Sequence, residues 1–101
     1  MPRVEWTPTS RGDLADILVY LRARSPQSAR RVHQAIMDTI GFLAANPNAG
    51  PRREELSPGI RSFPVDGYRA YLVFYQPLKD GVVVARLVHG SRDVGAMFGK
   101  S

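Results

Sequence analysis

The chain has 101 residues, of which 44% are apolar and 23% charged, and these values predict one globular domain over residues 1–101. It contains no cysteine, which excludes disulfides, thiolate metal ligands and a cysteine nucleophile, and this favours the reducing cytoplasm. The net charge of +5, carried by arginine far more than by lysine, indicates a nucleic acid or an acidic protein as partner, although a compositional preference for arginine explains it equally well.

The first half of the chain predicts a short strand followed by two helices. Residues 3–6 alternate polar and apolar side chains, as a strand does, and Thr9 or Ser10 then caps a helix. A second helix starts at Ser25-Pro26, a serine cap with proline in the first helical position. The core-facing stripes of the two helices are Leu14, Ile17, Leu18 and Leu21, then Ala29, Val32, Ile36, Ile40 and Leu43. With so short a connection, the helices should form an antiparallel hairpin.

The second half of the chain predicts three strands. Residues 60–65, 69–76 and 82–88 are rich in β-forming side chains and are separated by the turn sequences at 66–67 and 79–81. The last strand is almost continuously apolar, which is typical of a central strand buried on both faces. The order predicts an α+β fold: an N-terminal strand, an α-helical hairpin and a three-stranded antiparallel meander, with the helices on one face of the sheet. Because two helices cover only one face, we expect the other face to stay open.

The common signatures of catalytic sites, such as GxSxG, a glycine-rich phosphate loop and HExxH, do not occur in the sequence. Neither His33 nor His89 has an acidic pair at ligand spacing, so no metal site and no other cofactor are expected. Histidine is the side chain most often used as a general base, which makes His89, at the end of the last strand, a candidate. A histidine in that position can equally be a hydrogen-bonded structural residue.

A set of arginines and tyrosines lies on or beside the three C-terminal strands. Guanidinium groups bind phosphate through two parallel hydrogen bonds, and aromatic rings stack on bases, so this mixture fits contact with RNA or DNA. Alternatively, the tyrosines are core residues and the arginines maintain solubility. The set comprises Arg61, Arg69, Arg86 and Arg92, with Tyr68, Tyr71 and Tyr75.

Two stretches of the second half, GIRSFPVDGYRAYLVFYQ and VVVARLVHGSRDV, together with the order of the elements, resemble the RelE/ParE superfamily of toxin–antitoxin toxins, in particular its ParE-like branch. The resemblance covers essentially the whole chain. It implies one of two activities: RelE-type toxins cleave mRNA in the ribosomal A site, whereas ParE-type toxins inhibit DNA gyrase. It also implies a cognate antitoxin whose C-terminal segment wraps the toxin.

The residues that RelE-type toxins use for cleavage are only partly present. Arg61 falls at the position of the first of two closely spaced lysines, but the second position is Phe63, which cannot donate to phosphate. Arg69 resembles the strand arginine of the family, and Arg92 the arginine after the last strand. The tyrosine beyond it is replaced by Phe98, whose ring can stack but has no proton to transfer. If the chain were a nuclease, its catalytic set would be Arg61, Arg69, Arg92 and His89.

The resemblance therefore favours a ParE-like toxin of a type II module, which inhibits DNA gyrase, has no catalytic residue of its own and is neutralised by a ParD-like antitoxin. The alternatives are a RelE-like ribosome-dependent mRNA endonuclease and a non-toxic homologue that binds an antitoxin. We expect a homodimer or a hetero-oligomer with antitoxin and no membrane contact, and direct nucleic-acid binding stays open as an option that the activity does not require. The residues expected to bind partners are Arg61, Tyr71, Arg86, His89 and Arg92.

Overall fold

A computed structural model describes residues 2–90 and 94–99 of the chain. A short strand and two long helices come first, three strands follow, and a short helix comes last among the described residues. This order confirms the predicted α+β fold and adds the last helix, which the sequence pattern did not predict. The elements are β1 Arg3–Trp6, α1 Pro8–Arg24, α2 Pro26–Ala45, β2 Arg61–Val65, β3 Tyr68–Leu78, β4 Gly81–His89 and α3 Val94–Met97.

The four strands form one sheet in the order β1-β4-β3-β2, so that β4 is central, as its apolar sequence predicts. Strands β2, β3 and β4 form the antiparallel meander, and β1 joins β4 in parallel, with Arg3 opposite Gly81. A Cβ at Gly81 would overlap the backbone of Arg3. Glycine is therefore required where β1 first approaches β4.

The helix caps lie close to their predicted positions. Ser25 caps α2 by accepting a hydrogen bond at Oγ from the amide of Ser28, at 3.2 Å, as predicted. The predicted cap of α1, Thr9 or Ser10, is wrong: Thr7 is the cap, and its Oγ1 accepts from the amide of Ser10 at 3.0 Å. The helix begins earlier because Pro8 occupies its first position, where a residue without an N–H loses no hydrogen bond.

The main core lies between the helices and one face of the sheet. Strand residues such as Val73 and Tyr75 are fully buried there against α2. Burial of these large side chains supplies the main favourable free energy of folding, at roughly 1.5–3 kcal/mol each. The buried members of this cluster are Val32, Ile36, Ile40, Leu43, Ala44, Val65, Val73, Tyr75, Val82, Val84 and Leu87.

The opposite face of the sheet is partly covered, so the prediction that it stays open is wrong for this region. Phe74 and Val88 alternate with core residues along their strands and therefore point away from the long helices. Leu56 and Ile60, from the segment before β2, pack against them, and Phe98 lies on Phe74 with ring centroids 5.2 Å apart. Apolar side chains of an irregular segment and of the C-terminal region thus supply a second, smaller core.

Candidate partner-binding surfaces and predicted site residues

Arg86, which was predicted to bind a partner, forms an ion pair inside the molecule. Its Nε and Nη2 donate to the two carboxylate oxygens of Asp13 at 2.8 and 2.9 Å, and both side chains are largely buried. Asp13 Oδ2 also accepts a hydrogen bond from the amide of Leu87 at 3.0 Å. The hydrogen bond to Asp13 raises the pKa of Arg86 above its ordinary value. The pair fixes α1 to β4 and engages two of the five N–H donors of the guanidinium in an internal contact.

The same contact region protects the edge of β4 beyond the point where β1 ends. Thr7 Oγ1 donates to the carbonyl oxygen of Ala85 at 3.0 Å, and Ser10 Oγ donates to that of Val84 at 2.8 Å. A β-bulge at this point changes the register between β3 and β4. Ala85 is the extra residue of the bulge and lies beyond the last pair of β1 with β4, so the Thr7 hydroxyl bonds to a carbonyl that β1 does not reach. The Val84 carbonyl, opposite Trp6, accepts from the amide of Thr7 as well as from Ser10.

Arg61 and Tyr75 lie opposite each other on β2 and β3, and both anchor the segment that follows α2. Arg61 Nη1 donates to the carbonyl oxygens of Gly50, at 2.7 Å, and Asn48, at 3.3 Å. The buried hydroxyl of Tyr75 donates to the carbonyl oxygen of Pro47 at 2.8 Å and accepts from the amide of Gly50 at 2.9 Å. Burial raises the pKa of Tyr75. This anchoring role of the pair was missed, because nothing in the sequence indicates which carbonyls they reach.

The other predicted site residues gather at the opposite end of the sheet. Tyr71 and His89 are cross-strand neighbours whose rings meet edge to face, with centroids 5.3 Å apart. Arg69 is exposed near the start of β3, whereas Arg61 lies at the level of Tyr75, roughly 20 Å away at the usual rise per residue of a strand. The structure therefore separates Arg61 from Arg69 and His89. The remaining predicted residue, Arg92, lies outside the described residues.

The two phenylalanines that the resemblance assigns to RelE-type positions both pack against other aromatic rings. Phe63 lies against Phe42, with ring centroids 5.7 Å apart, and Phe98 packs on Phe74 in the second core. Both are half-buried. Their hydrophobic contacts give each a structural role that a lysine or a tyrosine hydroxyl would not fill in the same way.

A groove with a volume of about 440 Å³ lies between α1 and α2 and extends to Trp6 of β1; we call it the helix groove. Val19 and Met37 are exposed in it by 65% and 40%, so the groove presents apolar side chains to solvent. Arg11 and Arg22 supply positive charge on the α1 side. Its lining consists of Trp6, Arg11, Leu14, Ala15, Leu18, Val19, Arg22, His33 and Met37.

A second groove, of about 350 Å³, separates α2 from the β2–β3 hairpin; we call it the aromatic groove. Its apolar part is the Phe42–Phe63 pair, and Phe42 is 48% exposed. Asp38, Asp66 and Arg69 supply its charges. Val19 and Phe42 lie off the predicted core stripes, which indicated their exposure, but no sequence pattern indicated that they line grooves.

Neither a membrane-spanning helix nor a metal cluster is present in the described part of the chain. None of the helices within residues 2–90 and 94–99 is long and apolar enough to cross a bilayer. The same residues bring no three His, Cys, Asp or Glu side chains together in a way that could hold a metal ion.

A helical hairpin packed on one face of a four-stranded sheet also occurs in a solved structure, described as the chromosomal ParDE TA system from P. aeruginosa. The two chains superpose with a TM-score of 0.70 at 23% identity, over 88% of this chain and 96% of that chain, which establishes the shared fold. Residues 4–94 match the family model of the ParE toxin of the type II toxin–antitoxin system parDE. Toxin RelE3 of Caulobacter vibrioides is 32% identical over 90 residues, covering 88% of this chain and 95% of the relative. The chain therefore belongs to the ParE toxin family of type II toxin–antitoxin systems, and an antitoxin is its expected partner.

Proposed function

We propose that this toxin acts by binding to and inhibiting DNA gyrase and that it cleaves no RNA. The observation that supports this most is the state of the residues that a RelE-type nuclease would need. Arg61 is held by the carbonyl groups of Asn48 and Gly50, and it lies far from Arg69 along the sheet. Catalysis requires reacting groups held within a few ångströms of one another, which this separation does not provide. An inhibitor needs only to bind one conformational state of its target more tightly than the others.

The proposal is tested by following the supercoiling of relaxed plasmid DNA by gyrase in the presence of the purified toxin. We expect inhibition at micromolar toxin or below, and recovery when a cognate antitoxin is added in excess. Heat-denatured toxin is the control for nonspecific protein effects. Full gyrase activity at tens of micromolar folded toxin would refute gyrase as the target.

We further propose that the C-terminal segment of a cognate ParD-like antitoxin occupies the helix groove. The floor of the groove is apolar and its rim carries Arg11 and Arg22, which suits an amphipathic segment with acidic residues along one side. The aromatic groove is the weaker candidate, because Asp38 and Asp66 give it carboxylates that an acidic segment would avoid.

Two matched substitutions distinguish these grooves. Val19→Glu places a carboxylate in the helix groove, and Phe42→Glu places one in the aromatic groove; both positions are exposed, at 65% and 48%. Titration calorimetry with the antitoxin should show at least a ten-fold weaker complex for Val19→Glu and a small change for Phe42→Glu. The reverse pattern would assign the antitoxin to the aromatic groove.

A RelE-like nuclease remains the second candidate because the curated relative carries the name Toxin RelE3. Translating ribosomes incubated with the toxin would then show mRNA cuts in the A site, which Arg92→Ala should abolish. We expect no cuts. Cleavage that depends on Arg92 and leaves gyrase unaffected would replace the gyrase proposal.

A further inference from the structure

The positive charge of this protein is concentrated at one end of the helical hairpin. No aspartate or glutamate occurs between Asp16 and Asp38, whereas four arginines do. Without these four, the fourteen basic residues of the chain fall to ten, against nine acidic residues. The net charge of +5 therefore belongs almost entirely to this segment. A general preference for arginine does not explain it, because such a preference would not remove acidic residues from one stretch. The four are Arg22, Arg24, Arg30 and Arg31.

The fold brings the four arginines to one end of the molecule. Arg22 and Arg24 are in the last turn of α1, and Arg30 and Arg31 lie near the start of α2, which follows after a single connecting residue, Ser25. All four are exposed, and none forms an ion pair with an acidic residue in the described part of the chain. We call residues 22–31 the hairpin tip.

Helix stability accounts for only half of these arginines. Cations in the last turn of a helix are stabilised by the helix dipole, which suffices for Arg22 and Arg24. Arg30 and Arg31 lie just past the first turn of α2, near its N-terminus, where a cation gains nothing from the helix dipole, and that first turn contains no acidic residue. Solubility does not require them either, since interspersed charges of both signs keep a surface soluble.

The chemistry of the hairpin tip points to a phosphate backbone as its ligand. No large apolar side chain occurs from residue 22 to residue 31, so a peptide would find nothing there to bury. A nucleic-acid backbone needs only positive charge and N–H donors, and arginine forks match phosphate oxygens in pairs. At one border of the tip, the Arg24 guanidinium lies over the exposed ring of Tyr20, 4.6 Å from its centroid, which limits the conformations of that arginine.

We infer that the hairpin tip binds the phosphodiester backbone of nucleic acid without sequence preference. This binding rests on the placement of charge and does not depend on the target proposed above. Each neutralised phosphate contributes a slope of about −0.9 to log K against log salt on duplex DNA, so four arginines give a slope of about −3 to −4. Affinity should then fall roughly 100-fold between 50 and 200 mM salt.

The experiment is a fluorescence anisotropy titration of the purified toxin with a labelled DNA duplex of random sequence at several salt concentrations. Arg30→Gln/Arg31→Gln should reduce the slope by about 2 and weaken binding at 50 mM salt at least ten-fold. The control Arg52→Gln/Lys79→Gln removes the same charge from two exposed basic residues outside the tip and should change binding much less. An RNA duplex of equal length tells which nucleic acid is preferred; tip-dependent binding of either supports the inference.

Three outcomes would overturn it: no binding of either duplex by the unaltered toxin at 50 mM salt, equal losses in the two double variants, or tighter binding of an acidic polypeptide than of both duplexes. Circular dichroism melts establish that the variants are folded. If the double variant does not fold, the single substitution Arg31→Gln replaces it. Gyrase inhibition is measured separately on the same proteins. A tip variant that still inhibits gyrase but no longer binds DNA would support both proposals. Absence of gyrase inhibition, with tip-dependent DNA binding intact, would refute only the gyrase proposal.

Discussion

The pairing of Asp13 with Arg86 joins a helix to the central strand through a single carboxylate. Asp13→Asn leaves the guanidinium largely buried without a counter-charge, although an amide oxygen can still accept one hydrogen bond. We expect a loss of about 1–3 kcal/mol in the free energy of unfolding, measured by urea denaturation. Asp16→Asn, an exposed aspartate one turn further along α1, is the matched control and should change stability by less than about 0.5 kcal/mol. Equal effects of the two substitutions would mean that the ion pair does not stabilise the fold.

The Tyr75 hydroxyl makes the stability of this protein depend on pH at the alkaline end. Burial raises its pKa in the folded state, whereas in the unfolded chain it titrates near 10. Its contribution is therefore complete below about pH 10 and is lost as the pH rises toward the higher folded value, with a slope of at most about 1.4 kcal/mol per pH unit. Tyr75→Phe should be less stable at neutral pH, because Pro47 and Gly50 lose their partner, and should show a shallower alkaline decline. Parallel stability–pH curves for the two proteins would contradict this assignment.

At the level of elements, replacement by alanine should have opposite effects on stability at Gly81 in β4 and at Gly12 in α1. Gly81→Ala places a methyl group against the backbone of Arg3, so β1 must separate from β4, at an expected cost of about 1–3 kcal/mol. Gly12→Ala, in α1, meets open space and should stabilise the protein by up to about 1 kcal/mol. Thermal unfolding measures both, and hydrogen exchange should show faster exchange of the β1 and β4 amides in Gly81→Ala only. Intact β1 protection in that variant would show that the sheet adapts without separation.

The elements themselves were largely predictable, but their side-chain partners were not. Apolar periodicity and the proline and glycine positions predicted two helices, the meander and the central place of β4. The Thr7 cap was signalled by Pro8 and overlooked, whereas the bond from Asp13 to Arg86 joins residues too far apart in the chain for any local pattern to indicate it. The second core was missed for a similar reason. Leu56 lies in a segment without regular spacing and Ile60 at the start of the predicted strand 60–65, so only the folded chain shows that they cover Phe74.

For the whole molecule, the distribution of charge matters more than its sum. The described fold has an apolar groove with a basic rim, a second groove with two carboxylates and a strongly basic hairpin tip. Such a surface can hold an acidic antitoxin segment and a nucleic acid at two sites that share only Arg22, and their binding should respond differently to salt. Occupation of the apolar groove should survive 0.5 M salt better than binding at the tip, a difference that calorimetry and anisotropy can measure on one protein.

The parallel pairing of β1 with β4 also determines when the sheet is completed during folding. Arg3 pairs with Gly81 although almost the whole sequence separates them, whereas β3 and β4 are joined by a tight turn and can pair early. The first strand of the sequence should therefore be the last to dock. Val4→Ala would then accelerate unfolding and leave the refolding rate nearly unchanged, because the contact forms after the rate-limiting barrier. Stopped-flow folding measurements would reveal this, and the toxin would acquire its complete sheet only at the final step.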